Sequence, residues 1–263
     1  MRAFLRGIGP ACAVIAGLSG PAAGASSYST PDSVRSALPA PASEALFGAR
    51  DLWFGAACIG VTALAAHNDV WLTDETVEAH SHGEHDLSVV AQPFGNAGLI
   101  APALLVAYGA ASLAGSQTTA SAVVRIGASV ATAGAVTVVL KAAVGRSRPI
   151  EAPGDPDVIR PVSGHASMPS GHAAVAFATA AALDYETHSP WVPRLAYPAA
   201  ALVAWSRVHD REHWTSDVVV GAAIGAWTAN KVEKVLHRHD AAPLGLTIEP
   251  GPQVLRLGAT CRF

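Results

Sequence analysis

Residues 205–217 read WSRVHDREHWTSD, and two incompatible patterns compete for them. Counted from His209 the stretch is H-x-x-E-H, with His209, Glu212 and His213, a spacing found in some zinc metallopeptidases. Counted from Ser206 it is S-R-x5-H-x3-D, with Arg207, His213 and Asp217 as its charged fixed points. The metal pattern needs both histidines on one face of a continuous helix. This stretch is charged and carries Thr215 and Ser216, which read as caps of a following helix. It therefore reads as a loop leading into a helix, and no metal is assigned to it.

Apolar stretches of helical period flank that loop and fill much of the chain, at roughly 46–66, 97–115, 121–144, 171–185, 194–206 and 216–236. The 263 residues are 51% hydrophobic but only 6% aromatic, so most of the apolar content is small side chains. Such a composition suits close-packed helices better than a β-sandwich. The fold class is accordingly all-α: a bundle of about six core helices with the site at helix ends and loops. A net charge of −3 leaves no basic field for nucleic acid.

Four segments break the helical pattern. Residues 1–25 read as a signal peptide, with Arg2 and Arg6 at its start and Ala23-Gly24-Ala25 as the cleavage site. Residues 26–45, rich in Ser, Pro and Ala, form a loose lead-in to a helical domain at 46–240. Residues 67–96 are polar and acidic and read as a helix and a turn. Residues 145–171 hold five prolines and four glycines and read as a long irregular loop, a kind usually functional in a compact domain. In the tail, 241–263, Leu244, Leu246 and Ile248 alternate before Pro250-Gly251-Pro252, the pattern of a short hairpin. Cys58 and Cys261 make one pair at most, too few for a disulfide framework.

Several apolar runs, such as LWFGAACIGVTALAA and AAVAFATAAAL, fall short of the roughly 20 residues that cross a bilayer. With the signal cleaved, three spans before Lys141 would put the loop in the cytoplasm, an odd destination for an exported enzyme. The sequence thus points to a soluble, exported, periplasmic domain. The alternative is a bundle embedded in the inner membrane with its active site facing the periplasm.

Three blocks carry the chemistry. The first is K-x6-R-P, with Lys141, Arg148 and Pro149; the second is P-S-G-H, with Pro169, Ser170, Gly171 and His172; the third is the S-R-x5-H-x3-D already quoted. In this order they resemble the type 2 phosphatidic acid phosphatase (PAP2) superfamily, which includes bacterial non-specific acid phosphatases, lipid phosphatases and vanadium haloperoxidases. All eleven fixed positions match, between residues 141 and 217.

The residue types fit phosphoryl transfer, whose transition state spreads negative charge over three oxygens and needs positioning and cations. Lys141, Arg148 and Arg207 supply three cations from three segments. Ser170 and Gly171 stand at a helix N-terminus, where backbone N–H groups face an anion and glycine permits close approach. The resemblance implies His213 as nucleophile, Asp217 as the carboxylate that orients it, and His172 as general acid and base. It implies a metal-independent phosphatase with a phosphohistidine intermediate and no cofactor, acting on a phosphorylated small molecule or a lipid head group. A haloperoxidase would use the same cradle for vanadate. A non-catalytic anion binder would need neither His213 nor His172. Elsewhere, His80, His82 and His85 lie among Glu78, Glu84 and Asp86 and read as a solvated loop rather than a metal site. His237-Arg238-His239-Asp240 reads as positive charge at a helix C-terminus.

Overall fold

The computed structural model describes residues 46–78, 82–239, 245–250 and 255–260. The expected signal peptide and lead-in lie outside these residues, as do Cys261 and the side chains of His80 and His82. The described chain divides into a helical unit over 47–235 and a second unit that contains the C-terminal hairpin.

Six helices stand close to their expected places: α1 (Ala49–His67), α4 (Ala97–Leu113), α5 (Gln117–Val144), α6 (Gly171–Thr187), α7 (Trp191–His209) and α8 (Thr215–His239). The polar segment departs from expectation. It forms two helices, α2 (Asp69–Glu78) and α3 (His82–Ala91), and a 3-10 turn (Gln92–Gly95). Asp69, Thr73 and Val77 of α2, at i, i+4 and i+8, are buried, as are Ser88 and Ala91 of α3. That is a helical period, hidden from an apolar count because part of the inward face is polar. The expected hairpin forms: β1 (Gly245–Pro250) and β2 (Leu255–Thr260) pair antiparallel from Gly245 opposite Thr260 to Pro250 opposite Leu255.

Helix α6 is the axis of the helical unit. Its buried alanines, Ala173, Ala174, Ala176, Ala178 and Ala180–Ala182, leave neighbours room to come close. One cluster joins Ile126, Val130 and Ala133 of α5 with Val175, Ala178, Ala181 and Ala182 of α6 and Ala229 of α8. Another joins Ala176 and Ala180 to Ala200 and Val203 of α7. Helix α8 meets α6 backbone to backbone through Gly221 and Gly225: a Cβ on Gly221 would lie 2.4 Å from the Ser170 carbonyl oxygen, and one on Gly225 2.2 Å from that of Ala174. This contact sets the start of α8 against the start of α6, where Ser170 N–H donates to the Asp217 carbonyl (2.9 Å).

The loop between α5 and α6 is folded back on itself. Gly145 ends α5 in the left-handed conformation (φ 62°), and a Cβ there would sit 1.9 Å from the Arg160 carbonyl oxygen. Arg160 N–H donates to Gly145 O (2.8 Å), and Ser147 N–H donates to Val158 O (2.9 Å).

The exterior is strongly apolar. Helices α1 and α5 are long and apolar enough to cross a membrane, with mean hydropathy 1.2 and 1.8, and α3 to Gly95 with α4 passes the same test as one span bent by 58°. Outward-facing residues include Leu52, Trp53, Ile59 and Leu64 of α1, Leu105 and Val106 of α4, and Val138 and Val139 of α5, each more than half exposed. Between α1 and α8 runs an apolar groove of about 950 Å³, bordered by Leu52, Ile59, Cys58, Val220, Ile224 and Trp227. Contiguous apolar surface of this extent marks an interaction or membrane-facing surface, so it favours the membrane-embedded alternative over the soluble domain. Counting uninterrupted apolar letters missed it for two reasons: α1 extends past its 15-letter run to 19 residues, and the direction its large side chains face exists only in three dimensions.

Candidate active site

All three blocks meet at one end of the helical unit. Lys141 lies in the last turn of α5, Arg148 in the loop after it, His172 in the first turn of α6, Arg207 in the last turn of α7, and Asp217 in the first turn of α8. His213 stands in the turn between α7 and α8. Helix α7 ends at His209, so the two histidines of H-x-x-E-H do not share a helix. His209 instead stacks on Trp205, ring centroids 4.8 Å apart.

Ser170 is the N-cap of α6 and accepts from Ala173 N–H (3.5 Å), the structural half of its expected role. Gly171 does not need its conformational freedom, since its φ is not positive. A Cβ there would rest 3.8 Å from Lys141 Cε, so the glycine keeps this side of the helix start uncrowded. Thr215 and Ser216 do not cap α8 as the sequence suggests. Asp217 Oδ2 accepts from Trp214 N–H (3.0 Å), and Asp69 Oδ1 accepts from Ser216 N–H (2.8 Å).

His213 Nδ1 lies 3.7 Å from Asp217 Oδ2, an ion-pair separation rather than a hydrogen bond. Closing it requires a movement of about 0.5–1 Å, within the tightening that catalytic contacts undergo on binding substrate. Asp217 is meanwhile held by others: Ser167 Oγ donates to Oδ2 (2.5 Å) and Arg146 Nη1 to Oδ1 (2.7 Å). Burial, more than any other cause, holds the His213 pKa below its usual range; Asp217 pushes it up, and the charges of Lys141 and Arg148 push it down. Burial thus favours the neutral imidazole, the form a nucleophile needs.

The cations are arranged differently from one another. Lys141 Nζ donates to the carbonyl oxygens of Ala166 and Ser167 and so also holds the loop before α6. Arg148 Nη1 donates to Glu212 Oε2. Arg207 is buried, with Nη2 3.4 Å from Asp210 Oδ2, while its Nε and Nη1, like His172 Nε2, have no hydrogen-bond acceptor or donor among the described residues; His213 Nδ1 has only the longer contact to Asp217. Burial first, and then the charges of Arg207, Lys141 and Arg148, push the His172 pKa down to about 4, so the negative charge of a bound phosphate is what would restore its proton. Buried donors without acceptors are costly in a folded protein. Their gathering beside a neutral imidazole makes a cradle for an anion, and its positive charge disfavours a metal cation.

Sequence reasoning missed the frame behind Asp217. Arg146 Nη2 donates to Asp69 Oδ2 (2.8 Å), its Nη1 also to Ser216 Oγ (2.7 Å), and its Nε to Pro156 O (2.7 Å). Ser216 Oγ donates to Asp69 Oδ2 (2.5 Å). The guanidinium also stacks 5.6 Å from the Trp214 ring centroid. Arg146 stands two residues before a motif arginine, a weak signal; Asp69 carries none, because its partners lie 77 and 147 residues away.

Parts of the chain are similar to known proteins. Residues 122–238 match the family model of the PAP2 superfamily. A lipid A 1-phosphatase of Porphyromonas gingivalis is 46% identical over 61 residues, 22% of this chain but only 14% of that protein. The crystal structure of the first transmembrane PAP2 type phosphatidylglycerolphosphate phosphatase from Bacillus subtilis superposes with a TM-score of 0.53 at 19% identity, over 70% of this chain and 96% of that one. LpxE of Aquifex aeolicus has a TM-score of 0.47 at 17% identity, over 63% of this chain and 94% of that one.

Proposed function

We propose, from the match of residues 122–238 to the PAP2 superfamily, that the protein is a membrane-embedded, metal-independent phosphatase that hydrolyses a lipid phosphate or pyrophosphate through phosphohistidine. The observation that carries the chemistry is the gathering of Arg207 Nε and Nη1 and His172 Nε2, buried and without an acceptor among the described residues, around the imidazole of His213. Arg207, Arg148 and Lys141 neutralise the phosphoryl oxygens. Asp217 closes on His213 Nδ1–H, leaving the Nε2 lone pair to attack phosphorus. As the N–P bond forms, the P–O bond to the alcohol or phosphate leaving group breaks, and His172 gives that oxygen its proton. Water then attacks phosphorus, His172 takes its proton, the N–P bond breaks and inorganic phosphate leaves. No step calls on a metal or cofactor.

The lipid substrate is supported by the apolar exterior of α1, α4 and α5 and by the groove along α8, whose lining residue Val220 lies less than one turn from Asp217. The lipid phosphatase among the relatives points the same way. This reading displaces the soluble, small-monoester enzyme.

The test is phosphate release by the detergent-purified full chain, with excess chelator, from a dispersed lipid phosphate and from a soluble aryl phosphate. Expected are chelator-resistant turnover blocked by orthovanadate, higher kcat/KM on the lipid, and an acid-labile phosphoryl group on the protein that His213→Ala removes. Turnover dependent on added metal, or surviving in His213→Ala, overturns the mechanism. Full recovery of activity in a detergent-free soluble fraction overturns the membrane reading.

A further inference from the structure

The motif S-R-x5-H treats residues 208–212 as a spacer, yet that spacer sends a carboxylate to each of two guanidiniums. Glu212 Oε2 accepts from Arg148 Nη1, and Asp210 Oδ2 lies 3.4 Å from Arg207 Nη2. Asp210 is itself held through its other oxygen, which accepts from Ser88 Oγ of α3 (2.8 Å). The turn is tied to the loop that carries Arg148 by Ile150 N–H donating to Arg211 O (3.2 Å). At Arg148 the carboxylate takes one end of the planar fork by a hydrogen bond, whereas at Arg207 it stands beside one end as an ion pair. Among the described residues Arg207 keeps Nε and Nη1 buried without a hydrogen-bond acceptor, and the side-chain contact of Arg148 there is the one from Nη1 to Glu212.

We propose that Asp210 and Glu212 are positioning residues that pin the outer ends of Arg207 and Arg148, so that the remaining N–H groups of each fork face the phosphoryl oxygens. The inference rests on the phosphatase reading of this site and adds to it residues outside the motif. A guanidinium offers five donors in a rigid fork, so one N–H given to a carboxylate still leaves an edge for bidentate contact with phosphate. The need is greater at Arg148, whose side chain is 35% exposed, than at Arg207, which packing already confines. An unpinned arginine samples many rotamers and must be ordered at each binding event. Glu212 and Asp210 remain on the guanidiniums when substrate binds; they are anchors, not competitors for the site.

The experiment measures orthovanadate affinity by calorimetry and KM and kcat on a lipid phosphate, for the wild-type chain, Glu212→Gln and Asp210→Asn. For Glu212→Gln the vanadate Kd and KM are expected to rise together by about fivefold to tenfold, the scale of one immobilised side chain, with kcat within about twofold. Asp210→Asn is expected to do the same more weakly. Glu212 is a third exposed, so an unchanged melting temperature shows that the effect is not lost folding. In an Arg148→Ala background, Glu212→Gln is expected to add nothing further. Unchanged or tighter vanadate binding in Glu212→Gln overturns the proposal, as does an equal loss with and without Arg148. Because vanadate binding is read apart from turnover, a wild-type chain that binds vanadate without hydrolysing esters refutes the phosphatase reading while the anchoring is still decided by the variants. One that binds no vanadate overturns both.

Discussion

Removing Asp69 tests whether the frame behind Asp217 serves catalysis as well as folding. Asp69 is 1% exposed and accepts from Arg146 Nη2, Ser216 N–H and Ser216 Oγ. Truncation to Ala leaves Arg146 with one carboxylate instead of two and leaves the Ser216 amide of α8 without its acceptor. Breaking a buried ion pair costs about 3–5 kcal/mol. Arg146 retains Asp217 and the Pro156 carbonyl, so the lower end, about 3 kcal/mol, is expected. At roughly 2–4 °C per kcal/mol for a domain of this size, the melting temperature falls by about 6–12 °C.

The kinetic effect follows from geometry. Arg146 holds Asp217 Oδ1 at 2.7 Å, and Asp217 must still move toward His213. A guanidinium no longer tethered to α2 lets that carboxylate turn away, at a cost of about 1.4–2.7 kcal/mol in the transition state, or tenfold to a hundredfold in kcat. KM changes little, because no phosphate-binding cation is touched. Asp69→Asn, which keeps the shape and the Ser216 amide acceptor, should lie between. Melting in detergent and phosphate release on the same samples decide the matter. A melting loss of the expected size with kcat within twofold of wild type refutes the link to Asp217 and reduces the frame to scaffolding.

Two further outcomes are expected. Because burial holds the His213 pKa below its ordinary range, the acidic limb of kcat/KM should lie below that of an unburied histidine. Asp217→Asn removes the group that raises this pKa, so the limb should move further down while the rate falls. A pH–rate profile with the limb unmoved, or moved up, contradicts the assignment. Gly221→Ala should cost about 1–3 kcal/mol or more through overpacking, together with activity, because its Cβ meets the Ser170 carbonyl at 2.4 Å. Gly134→Ala, with nothing within 4 Å of its Cβ, should gain about 0.5–1 kcal/mol; thermal melts of the two variants make the comparison.

The cations, the two histidines and Asp217 were all legible in the sequence, because phosphoryl transfer demands particular residue types and local chain geometry fixes their spacing within each block. So were the six long helices, whose apolar period survives averaging, and the hairpin, whose alternation breaks at Pro250-Gly251-Pro252. What escaped were relations between segments. Asp69 meets Ser216 across 147 residues, and no local pattern encodes such a partner. The spacer carboxylates Asp210 and Glu212 had no role assigned to them in the phosphatase pattern until the turn at 210–214 placed each beside an arginine. The apolar exterior depends on which side of each helix faces the α6 axis, and a run of Ala and Val does not state its own direction. The sequence by itself marked out the candidate residues of the site, through residue type and spacing within each block. Tertiary structure decided what holds that chemistry in place and which medium surrounds it, because both depend on contacts and facings between segments far apart in the chain.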